Sequence, residues 1–248
     1  TVRTVFNGLT GIPAETPSSV AFVNNLRVRF QAANYNFKSL VKEIVVSEYF
    51  LAVNLAPTEV SSAYPEFGSG RLLTPEELDR KIRSITGGVY SWRGPNTSSG
   101  LTGRHYLLYG GIDSDEVIKR TTSPTALING IQKRIANQVA CDRVADDLYN
   151  DGILFPDVDE RTVPSSGETA IRKNIVFLHR HILGEDLAAG SAEINATYRL
   201  WLDVRALNKS FIPGQCRSNG ETMDTNRTVL PWMAVVSYLL SDYKFLYQ

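Results

Sequence analysis

An all-α fold, an irregular bundle of seven to nine helices joined by long loops, is what this 248-residue sequence predicts. Three observations carry the expectation. Apolar residues recur at helical spacing in one segment after another, start and stop signals flank those segments, and the alternation that marks strands is nearly absent. Residues 1–248 read as a single helical domain with a possible sub-division near 52–72, long enough to bury about 70–75% of the unfolded surface.

The opening "TVRTVFNGLTG" already holds Val2, Val5, Phe6 and Leu9 at helical spacing with no capping residue before them. It reads as a helix entered part-way, and hence as the C-terminal part of a longer polypeptide. "PSSVAFVNNLRVRF" puts Phe22, Val23, Leu26 and Phe30 on one stripe after a Ser18/Ser19 cap. "NFKSLVKEIVVSEYF", capped by Asn36, lines up Phe37, Leu40, Val41, Ile44 and Val45, with Lys38, Lys42 and Glu43 toward water. "LTPEELDRKIRSITGG" carries the fullest set of signals: Thr74 as N-cap, Pro75 in the first turn, Glu77 closing a capping box and Gly87 ending the helix. A long helix is expected from a Ser123 cap and Pro124 through Leu127, Ile131, Ile135 and Val139 to about Tyr149, with Cys141, Val144 and Leu148 sharing a face. Ile171, Ile175, Leu178 and Ile182 define the next helix, and Ile194, Tyr198, Trp201 and Leu202 the one after it. The last is expected over 228–246. Connections near 53–71, 87–105, 150–167 and 208–227 are long for a compact bundle, and such loops are where binding sits.

Composition narrows the function classes. Lys plus Arg equals Asp plus Glu at 26 each, which argues against nucleic-acid binding by a broadly basic surface and against a polybasic membrane anchor. The most apolar run, "VLPWMAVVSYLL", is shorter than the about 20 residues that span a bilayer, so it reads as a core helix and no transmembrane segment is expected. With no CxxC, CxxCH or Cys/His cluster, neither covalent haem nor structural zinc is encoded. Cys141 and Cys216 are either one disulfide, which implies an oxidising compartment, or two buried thiols.

Four groups of residues raise site questions. In "YGGIDSDEV", Gly110-Gly111 precede Asp113, Asp115 and Glu116. The carboxylates read as a helix cap and its capping-box partner, with a calcium site at Asp113 and Asp115 or a catalytic role as the alternatives. Calcium wants about six to eight oxygens, so a second loop would have to contribute. His179 and His181 are separated by about 200° around a helix and cannot chelate one ion together; His179 is the candidate to contact a haem held on another domain. His105 stands alone. Asn96, Asn195 and Asn226 match the glycosylation pattern, whereas nucleophile-elbow, P-loop and dinucleotide motifs are absent from the sequence.

Taken together, "NYNFKSLVKEIVVSEYF", "RLLTPEELDRKI", "YLLYGGIDSD", "IVFLHRHILGE" and "WMAVVSYLLSDYKFLY" resemble the C-terminal region of large exported bacterial proteins of unknown function, of the planctomycete type, that occur with c-type cytochrome domains. The resemblance covers most of the chain. It implies a periplasmic or cell-surface setting with haem c upstream or on a partner, and it assigns no catalytic residues. The resulting expectation is a non-catalytic scaffold that docks a haem-bearing domain or subunit and serves electron transfer indirectly. The rivals are a periplasmic hydrolase or oxidoreductase with a site built from the long loops, and a cell-surface assembly subunit.

Overall fold

The computed structural model describes residues 1–12, 14–15, 19–51, 71–91, 99–121, 123–150, 152–217 and 223–247. Ser18 of the expected cap, Asn96 and most of the 52–72 connection lie outside the described residues. The fold is all-α, with nine α-helices and three isolated β-bridges among the described residues. The chain divides into two compact units, Thr1–Arg71 and Leu72–Gln248, at the edge of the possible sub-division.

The first unit holds α1 (Val2–Thr10), α2 (Val20–Ala32), α3 (Phe37–Val45) and the single turn α4 (Glu48–Leu51). Its core is small: Phe6, Val23, Leu26, Leu40 and Ile44, roofed by Tyr49, which stacks on Phe22 at 4.7 Å and meets Phe6 edge-on at 5.6 Å. Gly11, at φ 71°, ends α1 in a conformation that glycine adopts without a Cβ penalty. Asn36 caps α3 by accepting from Ser39 N, as expected. Phe37 departs from the expected stripe. It stands at the first turn of α3, 55% exposed, because the buried face begins one turn later at Leu40.

The larger unit is built on the pair α6 (Ala126–Tyr149) and α9 (Val229–Ser241), with α8 (Ala192–Ala206) packed on α9 and α7 (Pro164–Leu178) on α8. Helix α9 is apolar nearly all round because it is buried nearly all round; Val229, Trp232, Val235, Val236 and Leu239 are fully enclosed. A π-helical turn, His179–Leu183, extends α7 to Gly184. α5 (Pro75–Thr86) has the complete capping box, with Thr74 Oγ1 accepting from Glu77 N at 3.3 Å and Glu77 Oε2 from Thr74 N at 2.9 Å. Lys81 Nζ donates to the Phe245 and Tyr247 carbonyls, which ties α5 to the C-terminal 3-10 turn Tyr243–Leu246.

Three local expectations are corrected. The cap of α6 is Thr125, two residues after Ser123: Thr125 Oγ1 accepts from Ile128 N, Ile128 is buried and Leu127 is 50% exposed. The expected last helix breaks at Asp242, where an extended ψ of 139° ends α9 and the side chain caps the 3-10 turn through Lys244 N. No helix follows Asp113. Ile118 is 67% exposed, so residues 112–121 offer no apolar face whose burial would stabilise one before Pro124.

Candidate functional site

Cys141, on α6, and Cys216, at the end of the 3-10 turn Gly214–Cys216, form a disulfide across 75 residues of sequence. The bond floors an open groove of about 460 Å³ between α6, α8 and α9, walled by Ala140, Leu200 and Met233. Its mouth is polar and ordered. Ser237 donates to Asn137 Oδ1 at 2.7 Å, and the Tyr238 hydroxyl donates to Glu193 Oε1 at 2.6 Å. That bond to Glu193, with burial, pushes the Tyr238 phenol up to about 12. Cys216 is buried and Cys141 half-buried, so the bond is reached from the α6 side.

A polar layer lies where residues 86–91 and 99–111 meet α5 and α6. Gly100 and Gly111 let these residues fold tightly on one another: a Cβ on Gly100 would stand 2.6 Å from the Tyr90 ring, and one on Gly111 2.7 Å from Tyr106. Buried Asp79 accepts from Arg83 Nε at 2.8 Å and from Ser99 Oγ. Gln138 Nε2 donates to the Ser91 carbonyl and hydroxyl and to Asp142. The Tyr90 hydroxyl pairs with His105 Nδ1 at 3.0 Å and lies beside Arg134. Burial, reinforced by Arg134 and Arg104, pushes the His105 imidazole down; burial also pushes the Tyr90 phenol up against Arg134. Every one of these groups is answered by a neighbour in the layer, so the arrangement fixes these residues onto α6.

His179 is 1% exposed, and both of its ring nitrogens are used: Nδ1 pairs with Glu185 Oε2 at 2.8 Å and Nε2 with Thr197 Oγ1 at 3.0 Å. Glu185 also receives Lys244, so the network joins the π-turn, α8 and the C-terminal 3-10 turn. Burial raises the Glu185 carboxyl, but the hydrogen bonds from Lys244 and His179 outweigh it and hold the group low. A haem iron needs a free imidazole nitrogen, and His179 in this arrangement has none to offer. His181 faces elsewhere, stacking on Phe177 at 5.1 Å and bonding the Ile85 carbonyl at 2.8 Å.

Asp113 sits in an exposed turn. Its Oδ1 accepts from Asp115 N at 2.9 Å and Val117 N at 2.8 Å, with Ser114 left-handed at φ 68°. Those backbone donors hold its carboxyl below the usual range. The turn accounts for the cap-like pattern without a helix, and it spends an oxygen that calcium would need. Among the described residues, no group of three or more His, Cys, Asp or Glu could hold a metal ion. No hydrogen bond or ion pair joins Asp113 or Asp115 to His179.

Sequence reading missed two further elements. Gln132 reaches across from α6 to the Leu240 and Asp242 carbonyls, fastening the end of α9. Asp224, 1% exposed, accepts from the backbone N–H groups of Thr228, Val229 and Leu230 and so caps α9 from four residues upstream. Only the pattern "DTNRT" hinted at that cap.

No family model matches this chain, and neither a curated protein nor a solved structure is significantly similar to it. Among the described residues, no helix is long and apolar enough to cross a membrane.

Proposed function

We propose that this chain is a non-catalytic helical docking module of an exported protein, on which a haem-bearing domain or subunit seats, so that it serves electron transfer indirectly. The observation that carries the docking part is the disulfide-floored groove, with its apolar walls and pre-ordered polar mouth on the rigid α6–α9 pair. Such a surface presents fixed partners to an incoming protein at little ordering cost. A formed disulfide fits an oxidising compartment, and the resemblance of the chain to cytochrome-associated proteins supplies the haem-bearing partner. The test is to isolate the native assembly through this chain and record its visible spectrum. A haem Soret band that co-purifies, and that is lost with Met233→Arg in the groove wall, is the expected result. An assembly without haem refutes the electron-transfer part, and haem retained by the variant refutes the groove.

One observation favours a second reading, a cell-surface assembly subunit. The small first unit leaves Val28, Tyr35, Phe37, Val46 and Leu51 each more than half exposed. Light scattering of the purified chain decides that reading: an oligomer supports it, and a monomer at all concentrations removes it.

A further inference from the structure

We infer that the Cys141–Cys216 bond is a reducible clamp, opened from the groove by a dithiol reductant, and that its opening frees residues 209–217 while the helical bundle stays folded. The inference goes beyond the docking reading and stands or falls without it, because the reductant acts on the chain alone.

Residues 209–217 are attached to the bundle in two ways. One is covalent, Cys216 to Cys141 of α6; the other is the side chain of Ile212, enclosed in the core. Hydrogen bonds between described residues do not fasten this segment to α6, α8 or α9. Cys216 N donates to the Pro213 carbonyl, Arg217 Nε to the Ile212 carbonyl, and Asp224 N to the Ser210 carbonyl. The Phe211–Met223 bridge and the Arg217 guanidinium over the Phe211 ring at 5.0 Å are equally internal to the connection. The segment is folded on itself and pinned at two points.

Most of the bundle's contacts are made without those pins. α9 is capped by the Asp224 side chain, whose backbone alone is tied to the segment through Ser210, and its carboxyl-terminal end is fastened by Gln132. The core between α6 and α9 is filled mainly by Ile128, Ile135, Val139, Trp232, Val236 and Leu239, and residues 209–217 add only Ile212 and Cys216 to the same cluster. Access is equally asymmetric. Both sulfur-bearing residues line the groove, but Cys141 is the more exposed, so an incoming thiolate meets Cys141 Sγ first.

The chemistry is thiol–disulfide exchange. A thiolate of the reductant attacks Cys141 Sγ, the S–S bond breaks, and Cys216 leaves as a thiolate that takes up a proton. The second thiol of the reductant then attacks the mixed disulfide and releases Cys141. The reductant ends as its own disulfide, and the protein has gained two electrons and two protons. Once free, 209–217 can move off α6 and widen the groove.

The experiment treats the 248-residue chain with dithiothreitol in non-denaturing buffer, counts thiols by alkylation and mass, and follows hydrogen exchange by segment. The expected reduction rate is first order in reductant. Exchange across 209–217 rises at least tenfold, while α6 and α9 lose only the protection that the cross-link's share of global stability supplies and stay the slowest-exchanging segments. A rate independent of reductant concentration means that reduction waits for global unfolding and overturns the clamp, as does exchange in α6 or α9 that becomes as fast as in 209–217. A companion variant, Ser237→Trp at the groove mouth, slows reduction severalfold in a protein of unchanged helicity. An unchanged rate in that variant refutes entry through the groove.

Discussion

Replacing both cysteines, as Cys141→Ala/Cys216→Ala, tests how much of the larger unit rests on its one cross-link. The bond closes a loop of 75 residues. On the chain-entropy account, a loop of that length removes enough denatured-state freedom to stabilise the fold by about 4.5 kcal/mol. The larger unit has about 180 residues, and an unfolding entropy of about 2.1 cal/mol/K per residue turns that loss into a fall of about 12 °C in melting temperature. All three tryptophans of the sequence lie beyond residue 71, so intrinsic fluorescence reports this unit. Urea titration should give a lower midpoint with a slightly larger m-value, because the uncrosslinked denatured chain exposes more surface. The single variant Cys216→Ala should match the double variant closely, since the effect belongs to the link and not to either side chain. A midpoint shift worth less than about 1.5 kcal/mol would refute the reasoning, because the bond would then be stapling residues that the denatured chain already holds together.

Four further changes, at three positions, probe the networks. Asp224→Ala leaves the N–H groups of Thr228, Val229 and Leu230 without their acceptor at a buried helix start, and should cost about 3 kcal/mol by chemical denaturation. Asp224→Asn should cost about half of that, because it keeps one acceptor oxygen and escapes the burial that pushes this carboxyl up. His179→Ala removes both bonds of a buried ring and opens a cavity, with an expected loss of about 3 kcal/mol; stability equal to wild type would disprove the network. The Glu185 carboxyl is held low when folded, so its contribution is present above the ordinary carboxylate range and disappears as pH falls through the lowered value. Stability measured from pH 7 down to pH 3 should therefore fall less steeply in Glu185→Gln than in wild type, and parallel curves would rule out that linkage.

Local signals were legible in the sequence wherever one turn of chain decides the outcome. Thr74, Pro75, Glu77 and Gly87 settle the ends of α5 among themselves, and Asn36 needs only Ser39 to cap α3. Apolar periodicity likewise found Ile171, Ile175, Leu178 and Ile182, all buried. Legibility failed where a distant partner decides. The choice of Thr125 over Ser123 turns on whether Ile128 or Leu127 enters the core, and that depends on what packs there. The partners of His179 were not legible, because Glu185 and Thr197 act from 6 and 18 residues away. The three-carboxylate pattern after Gly111 promised a cap but lacked the apolar face that a helix needs.

The groove and the polar layer meet on one element, which explains why neither could be read from a stripe of apolar residues. A helix turns about 100° per residue, so on α6 the set Ile128, Ile131, Ile135 and Val139 faces the core, and that is the face periodicity detects. Arg134, Gln138 and Asp142 follow one another at intervals of four along a second face, where Tyr90 and Ser91 sit. Asn137 and Cys141, also four apart, make a third face and the edge of the groove. Only the first face is written in hydrophobicity. The other two use residues that look like ordinary solvent-facing polarity until Tyr90, Ser91 and the Cys216 turn are laid over them, so the helix that builds the core also holds those residues and floors the groove. Gln132, held on the Leu240 and Asp242 carbonyls, fixes the rotation of α6 that keeps all three faces in register.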